Sequence, residues 1–138
     1  MPRFTAISLA AVLGGLAVLI SLFVIYVWIW TRGTFSAQLS NGNGFVSVAM
    51  ATLNYLIGGA ITGVLARGAE VLNASMAGLA FGLLLWAVYL LFFGGDLSSA
   101  GSLSLRSVGI GALAFVVAVC AAGGSLVALA RHQRKATQ

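Results

Sequence analysis

A chain of 138 residues that is 61% hydrophobic and only 7% charged cannot fold as a water-soluble domain, in which about a quarter of the residues carry charge. The mean hydropathy of +1.09 and the long apolar runs favour a single all-α domain in a lipid bilayer, because one helical span needs about 20 apolar residues. The net charge of +5 comes from cations at the ends of these runs, without clustered stacking residues, so we expect no nucleic-acid partner.

The predicted elements in chain order are four transmembrane helices that form one polytopic four-helix bundle, with the whole chain as a single domain. Asn73 belongs to a residue type that favours helix N-caps, so it is placed at the start of the third helix. Arg67 and Glu70 lie three residues apart in a short connection and can pair if that turn is helical. The expected boundaries are 4–30, 45–66, 74–94 and 107–130 for the helices, 131–138 for a basic tail and 1–138 for the domain.

Small residues recur four positions apart in these runs, which places them on one helix face where a neighbouring backbone can approach closely. The stretch from Tyr55 to Phe93 is therefore interpreted as a transmembrane hairpin whose second and third helices pack against each other through glycine. The glycines expected at helix contacts are Gly14, Gly59, Gly63, Gly78, Gly82 and Gly124.

The distribution of cations predicts the topology, because Lys and Arg concentrate in cytoplasmic segments. With four spans, the N-terminus, the central turn and the tail share one side, and the other side holds only Arg32 and Arg106. The aromatic ends of the first and third helices, at Trp28 and Trp86, then fall together at the outer interface. Both termini are therefore expected in the cytoplasm, and the Ala/Gly/Val-rich composition suits a bacterial inner (plasma) membrane. The cations expected at its lipid headgroups are Arg3, Arg67, Arg131, Arg134 and Lys135.

A weak internal repeat suggests that a helical hairpin was duplicated. Gly15-Leu16-Ala17 precedes Tyr26 by the interval that separates Gly78-Leu79-Ala80 from Tyr89, and Gly58-Gly59 is echoed by Gly123-Gly124. A duplication would relate the two halves by an axis along the membrane normal. Chance matching in a chain rich in Leu, Ala and Gly is the alternative.

The ionisable residues argue against catalysis. Glu70, Asp96 and His132 lie in loops or in the tail, whereas general acid–base chemistry needs two titratable groups that converge on one site. Cys120 stands alone without metal-ligand spacing around it and is interpreted as a packing residue. We therefore expect no catalytic site, no metal site and no cofactor.

The polar residues inside the apolar runs offer one alternative. Asn54 lies near the middle of the second run, and Thr62 follows on the same helix face. The two side chains are a candidate intramembrane polar site, either for a single interhelical hydrogen bond or for a solute. Ion-coupled carriers place acidic or basic residues inside a span, and the predicted spans contain none.

A Gly-Gly-x-x-x-Gly helix end, a short charged turn and a glycine-rich helix follow one another in the centre of the chain. The residues that carry this pattern are Gly58, Gly59 and Gly63, then Arg67 to Glu70, then Gly78 and Gly82, with Gly123-Gly124 near the last helix end. The pattern resembles small four-helix bacterial membrane proteins of the YrzE-like type over about half of the chain. The resemblance implies the same fold and no known activity.

These observations favour a non-catalytic integral membrane protein that acts as a structural or accessory subunit through contacts with other membrane helices and with lipid. The alternative is a small oligomeric pore or carrier for a neutral or anionic solute, built around Asn54 and Thr62. A holin-like former of membrane lesions is a third hypothesis.

Overall fold

The computed structural model describes residues 7–31, 44–93 and 102–138, and in these ranges the chain is all-α. The helices are α1 (Leu9–Thr31), α2 (Gly44–Leu65), α3 (Glu70–Phe93) and α4 (Ser102–Ala136). The predicted all-α class and the four predicted helices are confirmed. Each helix is long and apolar enough to cross a membrane, as judged by its length and composition.

Helix α1 begins at Leu9, which corrects the predicted start at residue 4; residues 4–6 lie outside the described ranges, and Ile7 and Ser8 precede the helix. Ser8 is the N-cap, because its hydroxyl oxygen accepts a hydrogen bond from the Ala11 N–H at 3.3 Å. The start of α1 is therefore set by the polar cap at Ser8, and the hydrophobicity of the sequence alone does not reveal it.

Helix α3 begins at Glu70, so the prediction that it starts at 74 with Asn73 as its N-cap is wrong. The turn after α2 contains Gly68 at a φ of 116°, a left-handed conformation that glycine adopts readily. The chain has therefore turned back before Glu70, and the carboxylate of Glu70 stands in the first turn, where the helix dipole favours it.

Helix α4 runs for 35 residues, so it begins before the predicted residue 107 and the predicted basic tail is mostly helical. After Gly124 the sequence contains no further glycine or proline, and Ala, Leu, Arg, Gln and Lys are good helix formers. At about 1.5 Å per residue, α4 is far longer than the roughly 30 Å of a bilayer's hydrocarbon core. Its C-terminal turns project beyond the turn that joins α2 and α3.

Helices α2 and α3 are neighbours at the centre of the fold, and α1 and α4 pack against them. Helix α4 packs against both members of this pair, and α1 packs against both on the other side, while α1 and α4 have little contact with each other. Contacts of α4 with α2 and with α3 are each more extensive than the contact between α2 and α3. Helix α4 is therefore the element against which the central hairpin is assembled.

A small core contains side chains from α1, α3 and α4, and its members are Leu19, Ala77, Phe81, Val116 and Cys120. The ring of Phe81 contacts Phe23 of α1 and Tyr55 of α2, each with a centroid distance of 5.9 Å. Large apolar side chains also cover the outer surfaces of the described helices, as at Leu13, Val24 and Leu91. The packed interior is thus narrow, and most apolar surface faces outward.

Asn73 is fully buried and joins α3 to the start of α1. Its Oδ1 accepts a hydrogen bond from the Ser8 N–H at 2.8 Å, and its Nδ2 donates one to the Ala69 carbonyl oxygen at 2.8 Å. A backbone N–H at a helix start has no partner in its own helix. The amide of Asn73 supplies that partner from another helix.

We expect Asn73→Leu to reduce the free energy of unfolding by about 1–2 kcal/mol, because it leaves the part-buried Ser8 N–H without its acceptor. Amide hydrogen exchange in the first turn of α1 should accelerate as well. Ser75→Ala is the control, since the Ser75 hydroxyl bonds only the Val71 carbonyl of its own helix. Equal exchange rates in the two variants would show that Asn73 does not hold α1.

Candidate functional site

Helices α2 and α4 run parallel and cross at a point where their backbones touch through glycine. A Cβ built on Gly59 overlaps the Cys120 carbonyl oxygen and stands 2.7 Å from the Cys120 Cα. A Cβ built on Gly123 likewise overlaps the Leu56 carbonyl oxygen and stands 2.8 Å from the Ala60 nitrogen. Each helix therefore fits against the other only because both lack a side chain at this point.

The crossing continues toward the turn between α2 and α3. A Cβ on Gly63 would be 3.3 Å from the Gly124 Cα, and one on Gly124 would be 2.7 Å from both the Ala74 Cβ and the Glu70 carbonyl oxygen. Helices α2, α3 and α4 thus converge on Gly124. We call the contacts of Gly59, Gly63, Gly123 and Gly124 the glycine crossing.

The remaining predicted packing glycines also lie against neighbouring helices. Gly78 faces Cys120 and Gly82 faces Leu113, both on α4, and Gly14 of α1 faces the Leu65 side chain. The predicted packing glycines of α2 and α3 therefore all face α4. Contact between α2 and α3 through these glycines is limited to Gly63, whose added Cβ would also lie 3.5 Å from the Glu70 Cβ.

Sequence reasoning missed two close contacts between α1 and α2. A Cβ on Gly15 overlaps the Thr62 hydroxyl, and a Cβ on Gly58 overlaps the Leu19 side chain. Each glycine is adjacent to one that was singled out by its spacing, Gly14 or Gly59. The Gly-Gly pairs were the available signal, since neighbouring glycines open two faces of one helix to two partners.

The contacts bear on the predicted duplication in two ways. The reciprocal contacts of Gly59 with Cys120 and of Gly123 with Leu56 make the crossing locally two-fold, as a repeat of this region requires. A full duplication also makes the contact of α1 with α4 equivalent to that of α2 with α3, yet only the latter pair packs extensively. The symmetry is thus local to the α2–α4 contact, and the duplication stays a prediction.

Beyond the crossing, Arg131 fastens the end of α4 to the hairpin. Its Nη1 lies 2.5 Å from the Glu70 Oε1, and its Nη2 donates a hydrogen bond to the Val64 carbonyl oxygen at 2.7 Å. One guanidinium thereby satisfies a carbonyl in the last turn of α2 and a carboxylate in the first turn of α3. Glu70 therefore pairs with Arg131 and not with Arg67, the partner that its spacing in the sequence predicts.

An open cleft of about 690 Å³ lies between the projecting end of α4 and the turn that joins α2 and α3. Its lining residues are Arg67, Gly68, Glu70, Ala128, Arg131, His132 and Lys135. We call this the basic cleft. The α4 residues that line it are spaced as one face of a helix, and Arg134 is not among them.

The predicted headgroup cations are partly brought together. Arg67, Arg131 and Lys135 share the basic cleft, and Arg134 lies beside it on the same helical end. Arg3 lies outside the described residues. Glu70 and His132 also line this cleft, but the Glu70 carboxylate is engaged by Arg131.

The predicted polar residues Asn54 and Thr62 have separate surroundings. Thr62 is fully buried, and its hydroxyl donates a hydrogen bond to the Gly58 carbonyl oxygen of its own helix at 2.8 Å. Asn54 is half-buried beside a cavity of about 30 Å³ that Tyr26 and Tyr55 also line. The two side chains do not form one polar site.

The Cys120 thiol and the metal-binding side chains are the remaining candidates for chemistry in the described ranges. Cys120 is buried in the core, and its thiol donates to the Tyr55 carbonyl oxygen at 3.5 Å. Within 7–31, 44–93 and 102–138, no three His, Cys, Asp or Glu side chains are grouped so that they could hold a metal ion. In these ranges, the two features that could serve a function are the close backbone contact at the glycine crossing and the concentrated positive charge in the basic cleft.

Comparison with known proteins adds no relative to this description. No protein-family model matches the chain, and neither a curated protein nor a solved structure matches it.

Proposed function

We propose that the chain is a four-span integral membrane protein that works without catalysis as a structural or accessory subunit, in contact with lipid and with other membrane helices. Its bundle lies in a bacterial inner membrane, which the Ala/Gly/Val-rich composition suits, and both termini face the cytoplasm, as the distribution of cations predicts. The observation that carries this proposal is the glycine crossing, where three helices are held by backbone contact. Glycine-mediated contact is how helices associate in lipid, where no hydrophobic effect drives them together.

The outer surface supports the membrane part of the proposal. Exposed apolar side chains surround the helices, and monomeric soluble proteins rarely expose such continuous apolar surface. Helices α1 and α3 run parallel, which places Trp28 and Trp86 toward the same end, and the cations of the basic cleft lie toward the other. Aromatic residues at one boundary and cations on the cytoplasmic side are typical of membrane proteins.

Extraction in a mild detergent followed by mass measurement of the intact assembly tests the subunit role. The proposal predicts that the chain leaves the membrane with a second protein in fixed stoichiometry. A Gly111→Leu variant is informative here, because Gly111 is exposed on α4 and a Cβ there meets no atom within 4 Å. Loss of the partner in this variant would place the partner on α4. Recovery of the chain alone from native membranes would contradict the accessory role.

The pore or carrier alternative depends on Asn54, and its placement beside a small cavity is the observation that favours it. We expect Asn54→Leu to leave the fold, the assembly and the physiological function unchanged, because no described contact depends on this amide. The measurements are gel filtration in detergent and solute flux into vesicles, with Thr52→Val as the matched polar-to-apolar control on the same helix. Flux in the wild type that disappears only in Asn54→Leu would establish the pore instead.

A further inference from the structure

The basic cleft concentrates positive charge that the residues described by the structure neutralise only in part. Three cationic side chains line it, those of Arg67, Arg131 and Lys135, together with His132. Within the part of the chain that the structure describes, Glu70 is the one acidic side chain, and it is bonded to Arg131 and only 14% exposed. The cleft therefore carries a net charge of about +2 even with His132 neutral, and its charge calls for an anionic ligand.

The donors suit phosphate. Arg67 presents a planar guanidinium that can bind two phosphate oxygens at once, and Lys135 adds a compact charge from α4. Arg131 is held in position by Glu70 and by the Val64 carbonyl, so the two sides of the cleft have a fixed separation. A cleft of about 690 Å³ has room for more than one phosphate group.

The position of the cleft indicates that the phosphate belongs to a lipid. The apolar span of α2 ends at Leu65 and that of α3 begins at Glu70, so the cleft lies at the level where the apolar segments of α2 and α3 end. Apolar side chains near this level of α2 and α4 are exposed on the outer surface, with Leu65 at 50% and Leu129 at 60% exposure. A ligand bound at this level thus has the cations of the cleft on one side and the apolar outer surface of the helices on the other. A phospholipid has this combination, and a free phosphate ion does not.

We propose that the basic cleft binds the headgroup of an anionic phospholipid, and that a headgroup with two phosphates fits its charge best. Basic pockets between helices on the cytoplasmic side are typical of sites for such lipids. The site rests on the proposed membrane insertion and adds to it a specific lipid ligand. Arg67 and Lys135 bind the phosphates, and Arg131 ties α2 and α3 to α4 beneath them.

Retention of lipid by the purified full chain tests this proposal. The protein in mild detergent is given equal amounts of cardiolipin, which has two phosphates, phosphatidylglycerol, which has one, and zwitterionic phosphatidylcholine, and bound lipid is counted by native mass spectrometry. Cardiolipin should be retained at one molecule per chain in preference to the other two lipids. Arg67→Gln and Lys135→Gln should each weaken this binding about five-fold, and together about 25-fold.

Arg134→Gln is the matched control, since it removes the same charge from the same end of α4 outside the cleft. It should change retention less than two-fold, and all variants should elute as the wild type does in gel filtration. Equal losses in Arg134→Gln and Lys135→Gln would overturn the proposal, because they would indicate diffuse attraction to anionic lipid. Displacement of cardiolipin by an equal concentration of inorganic pyrophosphate would also overturn it, by assigning the cleft to a soluble phosphate.

Failure of the site and failure of the proposed membrane insertion have different signatures. Native membranes from the same cells are washed with alkaline carbonate, which releases proteins that do not span the bilayer. A chain that stays in the washed membranes but shows no preference among the three lipids contradicts the site alone. A chain that the wash releases contradicts the insertion and the site together.

Discussion

Gly59→Ala is expected to reduce the free energy of unfolding by about 3 kcal/mol or more, a large effect for a single methyl group. The added carbon would overlap the carbonyl oxygen of Cys120 and stand 2.7 Å from its Cα. Backbone atoms cannot rotate away as the end of a side chain can, so α2 and α4 must separate. Reversible unfolding by SDS titration in mixed micelles measures this loss.

Substitutions at two other glycines should cost less, in the order of how closely the added carbon meets its neighbours. Gly63→Ala should cost less, because its added carbon would lie 3.3 Å from the Gly124 Cα and needs only a small shift. Gly111→Ala should cost nothing and can add up to about 1 kcal/mol from helix propensity, since that carbon meets open space. If all three variants unfold alike, the backbone contact between α2 and α4 does not hold the protein together.

Arg131→Gln is expected to reduce the free energy of unfolding by about 1.5–3 kcal/mol. It removes the donor to the Val64 carbonyl and leaves the carboxylate of Glu70, 14% exposed, without its cation. The Arg131 side chain itself is 34% exposed, so solvent screening places the expected loss toward the lower end of this range. Arg134→Gln, with no described role at this junction, should change stability by less than about 0.5 kcal/mol.

A double-mutant cycle separates the ion pair from the bond to Val64. Glu70→Gln alone should cost about 1 kcal/mol, and the double variant Glu70→Gln/Arg131→Gln should be little worse than Arg131→Gln. The coupling between the two substitutions then measures the pair. Strictly additive losses would indicate that Glu70 and Arg131 do not stabilise each other and that only the bond to Val64 matters.

The existence of the four helices follows from sequence because apolar length is a property of each segment alone. Their boundaries depend on local chemistry that the apolar runs do not report. Ser8 caps α1, Gly68 turns the chain ahead of α3, and good helix formers carry α4 beyond Arg131. Asn73 shows the limit most clearly. A favourable cap residue by type, it instead holds another helix from a position inside α3.

The candidate site was likewise predictable from the sequence only in part. Spacing indicates that Gly59 and Gly63 share a face, but it cannot say which helix that face meets, since partner choice depends on all the faces together. The choice of α4, and the pairing of Glu70 with a residue 61 positions away, needed the structure. The basic cleft was not visible as a cleft because it requires the end of α4 to be helical and to stand beside the turn at Gly68.

Labelling with a membrane-impermeant maleimide in intact cells tests the central claim, a four-span chain whose basic cleft faces the cytoplasm, most directly. The wild type supplies its own background, because its one cysteine, Cys120, is buried. We expect Asn41→Cys, between α1 and α2, to be labelled from outside. Ala69→Cys and Thr137→Cys should be labelled only after the cells are permeabilised. Labelling of either of these two in intact cells would contradict the account.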